Sequence, residues 1–201
     1  MKQEYNKPTD AELLGRYANG DESAFSEIVN RYKNGLYAFL RRFINQQALV
    51  DDVFQETFIQ LFNSMDSFDT SRPLRPWLFT IAANKAKDAL RKGQRIAEVS
   101  IGTMANDEMS FNDVLNTLTS DNQMSYEQLI NDETAGKVRE IIANMPENLR
   151  EILILSYFHK FSYKQMTEIL SIPIGTVKSR LHSAVARFAK EWRASVKSRE
   201  T

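Results

Sequence analysis

Apolar residues recur every three or four positions through most of this chain, and this spacing restricts the fold more than any other feature. The clearest run lies in residues 21–44 and contains Phe25, Ile28, Val29, Tyr32, Leu36, Leu40, Phe43 and Ile44. Such spacing places the side chains on one face of a helix. Asp21 stands before the run, where an N-cap side chain is wanted. Because no segment alternates apolar and polar residues for long enough to form a strand, the pattern predicts an all-α fold.

Two more helices are predicted in the N-terminal half. The first covers residues 49–64 and directs inward Val50, Val53, Phe54, Leu61 and Phe62. Asp, Ser, Thr and Pro then interrupt the pattern in residues 66–75. The second helix covers residues 76–92 and directs inward Trp77, Leu78, Ile81 and Leu90. Together these segments predict an N-terminal helical domain over residues 1–92.

The periodic pattern stops between residues 93 and 133. This segment is acidic, rich in Ser, Thr and Asn, and has only isolated apolar residues. About 40 residues without a pattern would be unusual inside one compact domain. We therefore expect a flexible acidic linker between two small helical domains, with short helical turns near residues 113–118.

The pattern returns in residues 134–201, which predict a second domain. One short helix ends before Pro146, and the next directs inward Leu149, Ile152, Leu153 and Tyr157. Ser162 and Gln165 have the spacing of a capping box for a further short helix. A turn at residues 171–173 leads to a last helix with a shared face of Val177, Leu181, Ala184 and Phe188. Two short helices joined by a tight turn, the second one basic, are typical of a helix-turn-helix.

The charge of the chain is balanced overall but unevenly distributed. Residues 72–95 carry seven basic and one acidic side chain, residues 96–135 carry none and eight, and residues 171–201 carry seven and two. Two basic segments separated by an acidic one indicate binding partners and say little about the fold. There is no cysteine and there are only two histidines, so we expect no disulfide, metal or cofactor. No apolar stretch approaches the ~20 residues of a membrane helix or forms a signal peptide, which predicts a cytoplasmic protein without membrane insertion.

The polar face of the last helix mixes short hydroxyls with cations. It contains Thr176, Lys178, Ser179, Arg180, His182, Ser183 and Arg187. Near a helix start, hydroxyls and backbone N–H groups can bind phosphates, while longer side chains reach base edges in a major groove. A helix that closes a core and exposes a solvated basic face explains the same residues equally well.

The segment YKQMTEILSIPIGTVKSRLHSA, residues 163–184, resembles the promoter-reading helix-turn-helix of bacterial sigma factors of the extracytoplasmic-function (ECF) group. The resemblance implies that this polar face recognises the −35 element. Ser183 and Val185 stand where relatives often carry Arg, so the −35 sequence preference does not transfer. Ser171 replaces the Gly that is usual at the corner, which makes a left-handed residue there costly.

The segment DDVFQETFIQLF, residues 51–62, resembles the helix with which this family binds polymerase. Asp52 and Glu56 lie one helical turn apart, with Asp51 and Gln55 beside them. Taken alone, this stripe could be an ordinary solvated acidic face. The resemblance implies that Asp51, Asp52, Gln55 and Glu56 bind core RNA polymerase, through a coiled coil of its largest subunit.

The segment RPLRPWLFTIAANKAKDALRK, residues 72–92, resembles the part of the family that opens DNA at the −10 element. Its spacing of four and three residues places Asn84, Asp88 and Arg91 on one helix surface. The resemblance implies that this surface, with the loop at residues 67–74, holds a base outside the stack. The implied −10 residues are Arg72, Asn84, Lys87, Asp88, Arg91 and Lys92.

The resemblance implies a non-enzymatic initiation factor that binds core RNA polymerase and promoter DNA and has no catalytic residues. It also implies an inhibitory anti-sigma factor as a partner. One alternative is a stand-alone helix-turn-helix regulator, which explains residues 134–195 but gives the acidic stripe no role. Another is a metal-dependent nuclease built on Asp51, Asp52 and Glu56, which lacks a further converging ligand and a base.

Overall fold

The described parts of the chain are helical, and no strand occurs in them. The computed structural model describes the backbone of residues 7–44, 46–99 and 126–197, and the side chains of residues 7–44, 46–65, 67–92 and 134–195. The helices are α1 (Asp10–Ala18), α2 (Glu22–Phe43), α3 (Gln47–Ser64), α4 (Leu74–Val99), α5 (Tyr126–Ala143), α6 (Glu147–Leu153), α7 (Tyr163–Leu170) and α8 (Ile174–Lys197). A 3₁₀ turn, Met65–Ser67, follows α3, and a π-helical turn, Ile154–Phe158, continues α6. The all-α prediction is confirmed.

Side chains close the starts of three helices. Asp21 caps α2, as predicted, by accepting a hydrogen bond from the Ser23 N–H at 3.0 Å. The predicted capping box of α7 is also present: the Ser162 hydroxyl accepts from the Gln165 N–H at 3.3 Å, and the Gln165 amide oxygen accepts from the Ser162 N–H at 2.9 Å. Thr9 and Glu12 form the same arrangement at α1. Each cap satisfies N–H groups that the first helical turn leaves without intrahelical partners.

Two helices extend into the segment that was predicted to be linker. α4 continues to Val99, and α5 already begins at Tyr126. The apolar pattern fades before the helix ends because backbone hydrogen bonds and good helix formers such as Gln, Arg, Ala and Glu suffice to continue it. The turns predicted near residues 113–118 lie outside the described residues.

The corner of the helix-turn-helix contains a left-handed residue, although Ser171 stands where the resembling family usually has Gly. Ser171 has φ 52° and ψ 44°, and its N–H donates to the Thr167 carbonyl. Ile172 donates to the same carbonyl at 3.3 Å. A left-handed conformation costs an L-residue about 1–2 kcal/mol. The turn therefore forms against a local preference and depends on the packing of α7 and α8.

The predicted inward residues are buried or half-buried, except for two that are exposed. Phe62 is 50% exposed and Tyr157 is 52% exposed. Phe62 lies at the edge of α3, where its ring contacts Tyr17 and Phe25 instead of entering the core. Tyr157 lies in the π-helical turn, whose extra residue rotates the following side chains away from the α-helical face.

The N-terminal and C-terminal helices pack directly against each other. α4 contacts α7, and α2 contacts the π-helical turn. Phe79 of α4 lies 4.9 Å from Phe161 and 5.0 Å from His159, measured between ring centroids. Because Phe79 is 1% exposed and Phe161 is 4% exposed, the contact is buried. One continuous apolar cluster therefore joins the two halves.

Candidate functional site

The acidic stripe of α3 is present and mostly open. Asp52, Gln55 and Glu56 are exposed, whereas Asp51 is half-buried. The Asp51 carboxylate accepts a hydrogen bond from the Tyr37 hydroxyl at 2.9 Å and two from the Gln47 amide at 3.0 and 3.1 Å. Burial raises the pKa of Tyr37, and the Asp51 carboxylate adds to this effect. Asp51 therefore also holds α3 against α2.

An exposed apolar residue that the sequence analysis did not single out continues this stripe. Ile59 is 59% exposed and lies four residues after Gln55 and three after Glu56, so the three share a helix face. Glu56 is paired with Lys85 of α4 at 3.1 Å. The stripe thus combines carboxylates with one exposed apolar side chain. The Glu56–Lys85 ion pair connects it to α4, the helix that carries most of the candidate −10 residues.

Three of the candidate −10 residues share an open surface of α4. Asn84, Asp88 and Arg91 are exposed, and the Arg91 guanidinium lies 3.4 Å from the Asp88 carboxylate. Lys92 is exposed immediately after them. Asn84, Asp88 and Arg91 therefore share one helix surface, as their spacing predicts.

The loop before α4 is held by short hydrogen-bonded turns. The Asp69 carboxylate accepts from the Ser71 N–H at 3.0 Å and from its hydroxyl at 2.7 Å, and these bonds lower the pKa of Asp69. Arg72 follows with a side chain that is 60% exposed and lies 3.7 Å from Glu168 of α7. The Trp77 ring is half-buried and stacks on Phe68 at 4.3 Å. Trp77 therefore supports the loop by packing.

Lys87 differs from the other candidate −10 residues. Its side chain is only 18% exposed, and its ammonium lies 3.2 Å from Oε1 of Glu151 in α6. Lys87 consequently faces the C-terminal half, while Asn84, Asp88 and Arg91 are exposed on the same helix. The sequence analysis did not identify Glu151, although a carboxylate directly before the apolar run 152–155 is a signal that could have found it.

The candidate −35 residues lie on α8, opposite its apolar face. Lys178, Ser179, His182, Ser183 and Arg187 are exposed, whereas Thr176 and Arg180 are half-buried. The Ser179 hydroxyl donates to the Thr176 carbonyl at 3.2 Å. The predicted apolar face is confirmed, since Val177 and Ala184 are fully buried, Leu181 is 9% exposed, and Phe188 packs against the core. The buried apolar face therefore fixes α8 against the core, and its other side exposes a basic surface that carries hydroxyl groups.

His159 is a second buried ionisable group that the sequence analysis missed. It is 7% exposed, and burial together with the charges of Arg42 and Arg75 lowers its pKa to about 4. Its main-chain carbonyl accepts a hydrogen bond from Arg75 at 2.6 Å. His159 is therefore neutral at pH 7 and belongs to the contact between the two halves.

Neither a metal site nor a membrane-spanning helix occurs among the residues that the structure describes. Among these, no group of three His, Cys, Asp or Glu side chains could hold a metal ion. None of the helices described above combines the length and apolarity needed to cross a membrane.

Both halves match known protein families. Residues 28–96 match Sigma-70 region 2, and residues 135–188 match Sigma-70 region 4. The chain is 32% identical over 177 residues to the ECF RNA polymerase sigma-E factor of Haemophilus influenzae, covering 88% of this chain and 91% of that protein. It is 28% identical over 174 residues to the ECF RNA polymerase sigma factor SigW of Bacillus subtilis, covering 87% and 91%.

Two solved structures resemble the fold. CnrH, in complex with the cytosolic domain of CnrY, superimposes with a TM-score of 0.67 at 23% identity and covers 93% of this chain and 99% of its own. The sigma factor RpoE from Bartonella quintana, in complex with the anti-sigma factor NepR, superimposes with a TM-score of 0.66 at 23% identity and covers 84% and 96%. At this identity the likeness concerns the helical fold.

Proposed function

Because this chain belongs to the extracytoplasmic-function group of RNA polymerase sigma factors, it directs core RNA polymerase to promoter DNA, and we propose how its surfaces divide that work. The N-terminal domain docks on the polymerase and captures the −10 element, and the C-terminal domain reads the −35 duplex. The observation that carries the division is the order of three surfaces: an acidic stripe on α3, a polar surface on α4 and a basic surface on α8. They lie within the segments that match regions 2 and 4.

The domain limits in this proposal are 1–92, 93–133 and 134–201. The region 2 match ends at residue 96 and the region 4 match begins at residue 135, which supports them. α4 and α5 extend beyond these limits, so the helices project from their domains toward the connecting segment.

Core polymerase binding is assigned to Asp51, Asp52, Gln55 and Glu56. Three of these side chains are exposed, and Ile59 adds an apolar contact at the end of the stripe. A partner surface with basic side chains around an apolar position would match both features. Asp51 contributes through its hydrogen bonds to Tyr37 and Gln47, which fix the orientation of the helix.

Capture of the −10 element is assigned to Arg72, Asn84, Lys87, Asp88, Arg91 and Lys92. An unstacked base is recognised by hydrogen bonds to its edge, and the strand that carries it by cations along its backbone. Asn84 and Asp88 supply amide and carboxylate groups on the open face of α4, and the surrounding Arg and Lys side chains supply the cations. The chain breaks no bond in this process, because binding the open strand more tightly than the duplex is enough to favour melting. We accordingly propose that it is not an enzyme and acts in the cytoplasm, where promoter DNA is found.

Reading of the −35 element is assigned to Thr176, Lys178, Ser179, Arg180, His182, Ser183 and Arg187. Thr176 lies in the first turn of α8, where a hydroxyl and the backbone N–H groups can bind a phosphate. The longer Lys178, Arg180 and His182 side chains can reach base edges in the major groove. Because region 2 would have no role in a stand-alone helix-turn-helix regulator, the matches to both regions favour the sigma-factor function.

We also propose that this chain is held inactive by an anti-sigma factor. NepR is described as the anti-sigma factor of its RpoE complex, and that sigma factor shares the helical fold of this chain. The exposed promoter surfaces of α4 and α8 would be accessible to such an inhibitor.

The division of labour is tested with two variants of the full chain and two binding assays. Asp52→Ala combined with Glu56→Ala should weaken core polymerase binding at least about tenfold and leave affinity for a −35 duplex unchanged. Arg180→Ala should do the reverse. It should weaken binding to the −35 duplex by about 1–3 kcal/mol and leave polymerase binding unchanged. Glu22→Ala with Glu27→Ala removes two exposed carboxylates from α2 and serves as the charge-matched control. Equal losses in both assays for either test variant would contradict the proposal.

A further inference from the structure

Glu151 is a buried carboxylate whose charge is balanced from the other half of the chain. It is 4% exposed, and the Lys87 ammonium lies 3.2 Å from its Oε1. Among the described residues no donor makes a hydrogen bond of regular geometry to this oxygen. Burial raises the pKa of Glu151, and the Lys87 charge opposes that rise. The ionised carboxylate therefore depends on Lys87.

The same carboxylate is influenced by a cation from the second promoter surface. After Lys87, the positive charge of Arg180 also acts to lower the pKa of Glu151. Lys87 is assigned to the −10 surface and Arg180 to the −35 surface, and both are half-buried. The ion pair itself is made by Lys87 alone, and it joins α4 to α6.

Arginine and aromatic side chains form further contacts between the two halves. The Arg75 guanidinium of α4 donates to the His159 carbonyl at 2.6 Å and lies 4.3 Å over the Phe161 ring. Arg42 of α2 lies 4.5 Å over the ring of Phe158. α2 and α4 are therefore held against the segment that directly precedes the helix-turn-helix.

This arrangement is incompatible with simultaneous binding of both promoter elements. The centres of elements at −35 and −10 are separated by about 25 base pairs, or about 85 Å of straight duplex at 3.4 Å per base pair. In the structure, by contrast, Arg72 of the −10 surface lies 3.7 Å from Glu168 of α7. The two halves must separate before both elements are bound. Residues 100–125, which connect α4 to α5, would span about 90 Å if fully extended, so the chain is long enough.

We propose that Glu151 is a latch: its ion pair with Lys87 holds the N-terminal half, with the proposed −10 surface, against the C-terminal half in the free chain until core RNA polymerase binds. The inference rests on the proposed assignment of these surfaces. Its physical basis is that a buried carboxylate loses its counter-charge when the halves separate and must then be hydrated. Free sigma factor would therefore bind one promoter element at a time, and avidity for the bipartite promoter would appear only in the holoenzyme.

The latch can be tested by measuring the separation of the two halves. Because the chain has no cysteine, Ser26→Cys on α2 and Ala186→Cys on α8 would introduce two unique, exposed labelling sites. Pulsed electron spin resonance between two spin labels then reports the distance distribution. We expect one short distance in the free wild-type background and a distance longer by tens of ångströms after addition of core polymerase.

Glu151→Gln removes the charge and keeps the shape of the side chain. In the free chain it should raise the long-distance fraction at least about threefold. Glu147→Gln is the matched control, since this carboxylate lies one turn earlier on α6 and does not pair with Lys87; it should leave the distribution unchanged. Lys87→Gln breaks the same pair from the less buried side and should act like Glu151→Gln, so the proposal stays testable if one variant does not fold.

A free, folded Glu151→Gln or Lys87→Gln chain with the wild-type distribution would overturn the latch. A long distance in the free wild-type chain would overturn it as well. Polymerase binding and promoter-specific transcription by the unlabelled wild-type chain test the proposed function separately. If the wild-type chain neither binds polymerase nor supports transcription, the proposed function is refuted. If it does both, but the two variants keep the wild-type distance distribution, only the latch is refuted.

Discussion

Phe79 offers the most direct test of whether the two halves share one core. Its ring is 1% exposed and contacts Phe39 within the N-terminal half and both His159 and Phe161 in the C-terminal half. Truncation to Ala would cost about 3–5 kcal/mol, which could unfold a marginally stable chain. Phe79→Leu is the better perturbation, because it keeps most of the apolar volume and removes the ring contacts.

The expected cost of Phe79→Leu follows from those contacts. Each aromatic pair contributes about 0.5–1.5 kcal/mol beyond its buried area, and the Leu side chain recovers part of the packing. We therefore expect the free energy of unfolding to fall by about 1–2 kcal/mol, measured by urea denaturation of the full chain. Phe62→Leu is the control: this ring is 50% exposed, and its loss should cost under about 1 kcal/mol.

A double-mutant cycle separates the contact between the halves from burial in general. Phe79→Leu and Phe161→Leu should show a coupling energy of about 0.5–1.5 kcal/mol, because their rings lie 4.9 Å apart. A coupling energy near zero, or equal costs for Phe79→Leu and Phe62→Leu, would refute the shared core.

Two further predictions concern His159 and the left-handed residues. The pKa of His159 is about 4 in the folded chain and 6.5 without perturbation, so the unfolded chain binds the proton first and stability falls as the pH falls through this window. Between pH 7 and pH 5 the folded chain should lose about 2 kcal/mol to this residue, and His159→Gln should abolish that part of the loss in urea titrations at the two pH values. Ser171→Gly should raise the free energy of unfolding by about 0.5–1 kcal/mol because Gly adopts the left-handed region without a Cβ penalty. Lys160→Gly, at φ 55°, should act in the same direction, and a loss of stability in both variants would contradict the strain argument.

The closed arrangement has a consequence for the promoter surfaces. Asn84 and Asp88 are exposed while Lys87 is engaged with Glu151, so the proposed −10 surface is only partly available in this conformation. The acidic stripe on α3 is largely open in the same conformation. Under the proposed assignment, polymerase would bind the acidic stripe first, and opening of the halves would follow.

The sequence alone determined the features that depend on contacts within a few residues along the chain. Asp21 and the Ser162–Gln165 capping box begin their helices as predicted. The apolar face of α8 is likewise fixed by its helical period. The motifs in residues 51–62, 72–92 and 163–184 indicated the family that both region matches then established. The individual polymerase-, −10- and −35-binding residues stay predictions until they are tested.

Only the tertiary structure decided which surfaces meet. Periodicity directed Tyr157 and Phe62 inward, but a π-helical turn rotates Tyr157 into solvent, and Phe62 lies half exposed at the edge of α3. Lys87 directly precedes the exposed Asp88 on α4, yet it faces a carboxylate from the other half of the chain. The physical reason is that hydrogen bonding and helical period act locally, whereas burial and ionic pairing depend on which distant faces pack together.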